Sequence, residues 1–289
     1  MTEYKRAVWM VVFAGVALST LGLGTRLMES ASGLQIVLYR SVSLSIVATL
    51  WMFYKSRIGF IQEFRQAGRI GLVSAFCFSG ASIFLVLAIV TTTVANAMFI
   101  ISLAPLAGGI FAWLLLKERV QNKTWIAFGI ALLGVLVIIN GAISTTGALG
   151  IVYAFLALTC YGLFSVSLRW GKGQDMLPAV CLSSYMLIVG LSIGLEDLWI
   201  PSKDLVICLL LGVFQLGLGV LLLIKGSKHV PAAQLLLLAM LEVVLNPIWV
   251  WLGVGEVPST TTLIGGFIIF LGVCFDALYS KSESANQGA

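Results

Sequence analysis

A chain of 289 residues that is 60% hydrophobic and only 10% charged, with a mean hydropathy of +1.07, cannot form a soluble core under a wetted surface. It reads as an integral membrane protein. The net charge of +5 is spread over short loops with no basic patch interleaved with aromatics, so nucleic acid is not an expected partner and the lipid bilayer is.

Apolar runs long enough to cross about 30 Å of hydrocarbon as helix fall in chain order near 7–25, 36–54, 70–89, 94–116, 124–140, 148–168, 178–195, 205–224, 231–252 and 262–279. The expected fold is all-α: a polytopic membrane protein of ten transmembrane helices. The first run follows Lys5-Arg6 as a signal peptide would, but no small-residue cleavage site closes it, so it reads as an uncleaved span. The longest connector, Lys55 to Arg69, is short, basic and amphipathic. The polar residues 282–289 are expected to be a disordered tail.

Basic residues set the orientation. The N-terminus and the loops after every second span carry Lys5, Arg6, Lys55, Arg57, Arg65, Arg69, Lys117, Arg119, Lys123, Arg169, Lys172, Lys225, Lys228 and Lys281. The other side holds only Arg26 and Lys203, with Arg40 inside a span. Both termini are therefore expected in the cytoplasm of a cell whose inner (plasma) membrane the chain crosses many times. Cys77, Cys160, Cys181, Cys208 and Cys274 all lie within predicted spans without C-x-x-C spacing, which implies neither a disulfide framework nor a zinc site. No metal or other cofactor is expected.

The stretch from Ala95 to Val135 returns without a gap from Ala233 to Val273, at a constant offset of 256 − 118 = 138. Glu118 matches Glu256, Trp113 matches Trp251, Thr124 matches Thr262, Gly134 matches Gly272, and Asn96 meets Gln234. Five spans separate equivalent points, so the second copy is upside down relative to the first. Two inverted five-helix repeats, 1–141 and 147–281, are a recurrent way to build an alternating-access carrier.

These residues resemble the tandem EamA domains of the drug/metabolite transporter superfamily. The resemblance rests on Ala95-Asn96-Ala97 through Leu103-Ala104-Pro105 to Leu116-Lys117-Glu118-Arg119, and on Ala232-Ala233-Gln234 through Leu241-Glu242 to Gly255-Glu256. Gly-bearing spans follow, ending in Gly134-Val135-Leu136 and Gly272-Val273-Cys274. Where the family often has Leu-Glu-Pro in the second half, this chain has Leu241-Glu242-Val243, with the proline displaced to Pro247. The resemblance implies transport of a small-molecule metabolite without specifying substrate or direction.

Glu242 falls at the middle of the ninth span, where an ionisable group costs at least about 2.5–3.5 kcal/mol unless it faces protein or water. It reads either as a site for a substrate amine or a coupling proton, or as a structural carboxyl between helices. Leu238, Asn246 and Trp249 share its helical face. Arg40, inside the second span, either snorkels, pairs with Glu242, or clamps a substrate carboxylate in the bidentate fashion that suits arginine. Pro105 and Pro247 each remove a backbone donor in mid-span. Helices broken at matching positions of two halves point to a binding site, with Ser102 or Asn246 available to satisfy the freed carbonyls. Asn96 and Gln234 are gate contacts or helix-to-helix hydrogen bonds. Glu118 and Glu256 read as interfacial caps paired with basic neighbours, Trp113 and Trp251 as aromatic belts. Gly22, Gly24, Gly129, Gly134, Gly265, Gly266 and Gly272 read as sites of close helix packing.

The expected function is an exporter of amino acids or related amphiphilic metabolites, because one buried acid, one buried base and several aromatics suit a zwitterion with an apolar body. The alternatives are an importer of a vitamin-like or nucleoside-like metabolite such as riboflavin, or a multidrug exporter. An intramembrane enzyme is remote: H-E-x-x-H, paired intramembrane aspartates and an intramembrane histidine are all missing from the sequence. A channel would show a filter-like segment or a ring of charges. Proton coupling is an option, and a monomer and a homodimer are both compatible with the sequence.

Overall fold

The computed structural model describes residues 3–55, 59–117, 122–143, 148–170, 177–227, 229–230 and 232–286. Among them there are thirteen α-helices, one π-helical segment and no strand. In chain order these are α1 (Glu3–Leu18), α2 (Leu21–Arg26), α3 (Gly33–Lys55), α4 (Phe60–Thr91), α5 (Val94–Ile101), α6 (Ala104–Leu116), α7 (Asn122–Ile143), α8 (Ala148–Trp170), α9 (Leu177–Gly194), α10 (Ser202–Leu210), the π segment (Leu211–Leu218), α11 (Gly219–Ser227), α12 (Ala232–Val254) and α13 (Thr260–Asn286).

They make ten rods, because α1–α2, α5–α6 and α10–π–α11 each continue as one interrupted span. Eight rods hold an apolar stretch long enough to cross a bilayer. The described apolar stretches of the other two, Met240–Val254 and Thr260–Phe275, lie within helices of 23 and 27 residues. Leu50, Phe53, Phe76, Ile193, Leu252 and Phe267 are exposed around the bundle, as expected where the solvent is lipid rather than water. The protein is a polytopic all-α membrane protein.

α7 packs against α13 in the antiparallel way that the inverted repeat predicts for this pair. A Cβ on Gly134 would come within 2.5 Å of the Gly265 carbonyl oxygen and within 2.8 Å of the Ile269 side chain, while one on Gly272 would approach Ala127 and Ala131. Since 134 + 138 = 272, 127 + 138 = 265 and 131 + 138 = 269, the same contact is made twice about a pseudo-twofold axis. Only hydrogen fits where the two backbones come this close, which explains the repeated glycine. Gly22, Gly24 and Gly266 also lie against side chains of other helices, whereas Gly129 has open space beside it, so its expected packing role is not seen.

Two further expectations change. The connector expected from Lys55 to Arg69 is helical from Phe60 onward and continues into its span across a kink at Gly68, whose φ of 52° suits a residue without Cβ. At the other end α13 runs on to Asn286, into the tail expected to be disordered. Its residues Ser280 to Asn286 include no glycine or proline to stop a helix; residues 287–289 lie outside the described residues. All five cysteines are free.

Candidate functional site

The first span is interrupted without a proline. α1 ends at Leu18 and α2 begins at Leu21, so the hydrogen bond that would join the Gly22 amide to the Leu18 carbonyl in a continuous helix is not formed. Each partner is satisfied from the other half of the molecule. The Gly22 N–H donates to Asn246 Oδ1 at 2.9 Å, and the Leu18 carbonyl accepts from Gln215 Nε2 at 3.4 Å. Trp249 Nε1 adds a 2.9 Å bond to Ser19 Oγ. A non-helical stretch inside the hydrocarbon is tolerated only where protein or a cavity meets its backbone groups, and side chains from α12 and the π segment do so here.

The predicted face of α12 is the one that meets this break. Gly15 of α1 packs on Leu238, Leu241 and the backbone of Glu242, and Asn246 and Trp249 reach the break one and two turns further along. Asn246 is fully buried, and its Nδ2 also contacts Met98 Sδ at 3.4 Å. Glu242 is half-buried, and its carboxyl forms no hydrogen bond or ion pair with the described residues.

Arg40 neither snorkels nor pairs with Glu242. It stands about 10 Å along α3 from Gly33 at the helical rise, is 1% exposed, and is among the largest fully buried side chains. Its Nη2 donates to Ser82 Oγ of α4 at 2.6 Å, while Nε and Nη1 have no acceptor among the described residues. The Arg40 carbonyl and the Ser43 side chain of α3 lie against Gly212 of the π segment. Tyr161 of α8 is within electrostatic reach of both Arg40 and Glu242.

The remaining predicted residues do not join this group. The Ser102 hydroxyl donates to the Phe99 carbonyl at 2.6 Å, so it does not serve the carbonyl of Ile101 that Pro105 leaves without its helical donor. Pro105 sits in the first turn of α6, where a missing N–H costs nothing, and the fourth span is interrupted just before it. Pro247 does not break the ninth span: α12 runs uninterrupted from Ala232 to Val254 with the proline inside it, so the two halves do not carry matching breaks in these spans. Asn96 is a helix-to-helix tie, with Oδ1 accepting from Thr262 Oγ1 at 2.7 Å and Nδ2 reaching Thr92 at 3.3 Å. The backbone of Gln234 belongs to α12, but its side chain lies outside the described residues, as does all of Glu118.

Glu256 has the interfacial role read for it. One carboxylate oxygen accepts from Arg26 Nε at 2.6 Å and the other from the Val94 amide at 2.9 Å, while Arg26 Nη2 holds the Thr92 carbonyl at 2.8 Å. The start of α5 therefore meets the end of α12, as an inverted repeat requires. At the same end of the bundle the buried Asp204 carboxylate accepts the backbone N–H groups of Glu29, Ser30 and Ala31, each at 2.9 Å. Gln35 and Tyr39 hold the carbonyls of Asp197, Trp199 and Leu198. These bonds tie the helix ends and loops together at the Arg26 end.

Sequence reasoning missed Tyr161, Gln215 and the Leu18 carbonyl. Gln215 had a signal: it is the one amide in the otherwise apolar run 205–224, the same anomaly that singled out Glu242.

An α-helical membrane protein of two inverted halves, with an interrupted helix and unpaired polar groups at their junction, has the architecture of a secondary carrier. The model of the EamA-like transporter family matches residues 5–140 and 148–276, and the chain belongs to that family. It is 27% identical over 206 residues to the uncharacterized transporter YdfC of Bacillus subtilis (strain 168), a match covering 68% of this chain and 66% of the relative. It is 26% identical to the uncharacterized transporter YwfM of the same organism, over 64% of this chain and 65% of that one. The chain thus spans just under two thirds of the length of these two relatives. The pseudopaline exporter CntI of Pseudomonas aeruginosa (strain UCBPP-PA14) is 23% identical, over 90% of this chain and 92% of its own. A solved crystal structure superposes with a TM-score of 0.69 at 18% identity, covering 96% of this chain and 98% of that one, and it supports the fold alone.

Proposed function

We propose that the protein exports amino acids or related amphiphilic metabolites by alternating access between its two halves. The observation that carries this reading is Arg40, a deeply buried guanidinium with two nitrogens unpartnered by the described protein residues. Buried polar groups are normally satisfied, and a substrate carboxylate offers the two acceptors that such a fork takes most strongly. The carboxyl of Glu242, which like Arg40 is within electrostatic reach of Tyr161, suits an amine. The substrate is therefore a zwitterion whose apolar body rests against the surrounding cluster of Met98, Leu211, Met240 and Val243.

The basic-loop bias supports cytoplasmic termini in the plasma membrane, which makes the Arg26–Glu256 end extracellular. An exporter loads its substrate in the state in which that end is closed. Export is also the activity named for the matched Pseudomonas relative.

The test uses right-side-out and everted membrane vesicles, their sidedness reported by labelling Ser259→Cys from outside, and a panel of labelled apolar amino acids. Everted vesicles should accumulate panel members, right-side-out vesicles should lose them, and Ser259→Cys should label in intact cells. Movement of no panel member in either orientation would end this reading. Accumulation in right-side-out vesicles alone would make the protein an importer.

A further inference from the structure

Resting on that reading of Arg40 and Glu242, we propose that Gln215 is a specificity-determining residue of the same site. Its carboxamide oxygen accepts a hydrogen bond from the substrate's ammonium group, so the carrier selects amines that still bear N–H over quaternary ones.

Gln215 is 2% exposed, and its Oε1 has no donor among the described residues. The orientation of the amide follows from chemistry: Nε2 faces the Leu18 carbonyl at 3.4 Å, and a flipped amide would set two acceptors against each other. Oε1 takes no part in that bond and is left free to accept another. The residue lies in an eight-residue π-helical stretch, a rare geometry found frequently at functional sites.

Its position bridges the two ends of the site: the π segment lies against α3 at Arg40 through Gly212, and Gln215 itself reaches Leu18 of α1. Leu216, the next residue, packs in the cluster that Leu18 and Tyr161 adjoin. Tyr161 also adjoins the cluster of Met240 and Val243, which flank Glu242. On α1, Leu18 lies one turn from Gly15, which packs on the Glu242 backbone. Glu242, Gln215 Oε1 and the Leu18 carbonyl are all acceptors, whereas the unpartnered Nε and Nη1 of Arg40 are donors. Charge alone would be read by Glu242. An N,N,N-trimethyl cation keeps that charge but offers no hydrogen to Oε1, which would then stay buried and unpaired.

The experiment compares L-leucine with its N,N,N-trimethyl betaine in proteoliposomes of the full-length protein. Hydrogen bonds to charged groups contribute about 1.5–3 kcal/mol, so wild type should favour leucine by about tenfold or more in KM. Gln215→Met, of similar volume, should raise the KM for leucine and leave that for the betaine unchanged, which removes most of the preference. Gln215→Glu, which retains acceptor oxygens, should keep the preference and serves if the methionine variant does not fold. A preference that survives in Gln215→Met, a KM raised equally for both compounds, or loss of the preference in Gln215→Glu would each overturn the proposal. Transport of leucine without discrimination by wild type would overturn it while leaving the proposed function intact. Transport of neither leucine nor any other amino acid of the panel would remove the proposed function, and this inference with it.

Discussion

Replacing Arg40 with alanine is expected to raise the KM for carboxylate substrates by about 30-fold or more while leaving their carboxamide analogues within a few-fold of wild type. Truncating one partner of a buried, hydrogen-bonded charge pair typically costs about 2–5 kcal/mol, and each 1.4 kcal/mol is tenfold. Arg40→Lys should recover only part of the loss, because an ammonium cannot reproduce the planar fork. Its bond to Ser82 Oγ is one contact among many that hold α3 to α4, so the alanine variant should fold. Equal loss for carboxylate and carboxamide substrates, together with a lowered melting temperature, would make Arg40 a structural residue.

The second large effect is expected at Glu242. Glu242→Gln keeps the volume and removes the charge, and the carboxyl makes no bond with described residues whose loss would unfold the protein. Transport of amine-bearing substrates should fall by about tenfold or more, as expected for losing a charged partner, and its variation between pH 5 and 8 should flatten. A well-folded Glu242→Gln protein with unchanged rates and unchanged pH dependence would reduce this residue to helix packing.

Much of this arrangement is legible in the sequence because the membrane makes polar residues expensive. Glu242 and Arg40 stand out as charges in apolar runs, and the 138-residue offset predicts the paired glycine contacts of α7 and α13 that the structure shows. The break in the first span is not legible in the same way. No proline marks it, and it exists because Asn246 and Gln215 take over the two backbone groups of one missing helical bond, partners 224 and 197 residues away. Pro247 misleads in the opposite sense, since α12 stays helical around it. Asn96 and Ser102 are polar and buried like the site residues, yet their side chains are engaged within the bundle. Sequence alone does not say which buried polar groups have a partner, and that is the property separating Arg40, Gln215 and Glu242 from the rest.

The central claim, that a zwitterion is carried by alternating exposure of one site, is tested most directly by counterflow in proteoliposomes. Vesicles loaded with unlabelled L-leucine are diluted into a trace of labelled L-leucine. A carrier that returns loaded faster than empty gives a transient accumulation of label above equilibrium, which should be abolished in Arg40→Ala. Simple equilibration of label with no overshoot, at the same rate whether the vesicles are loaded or empty, would contradict the account.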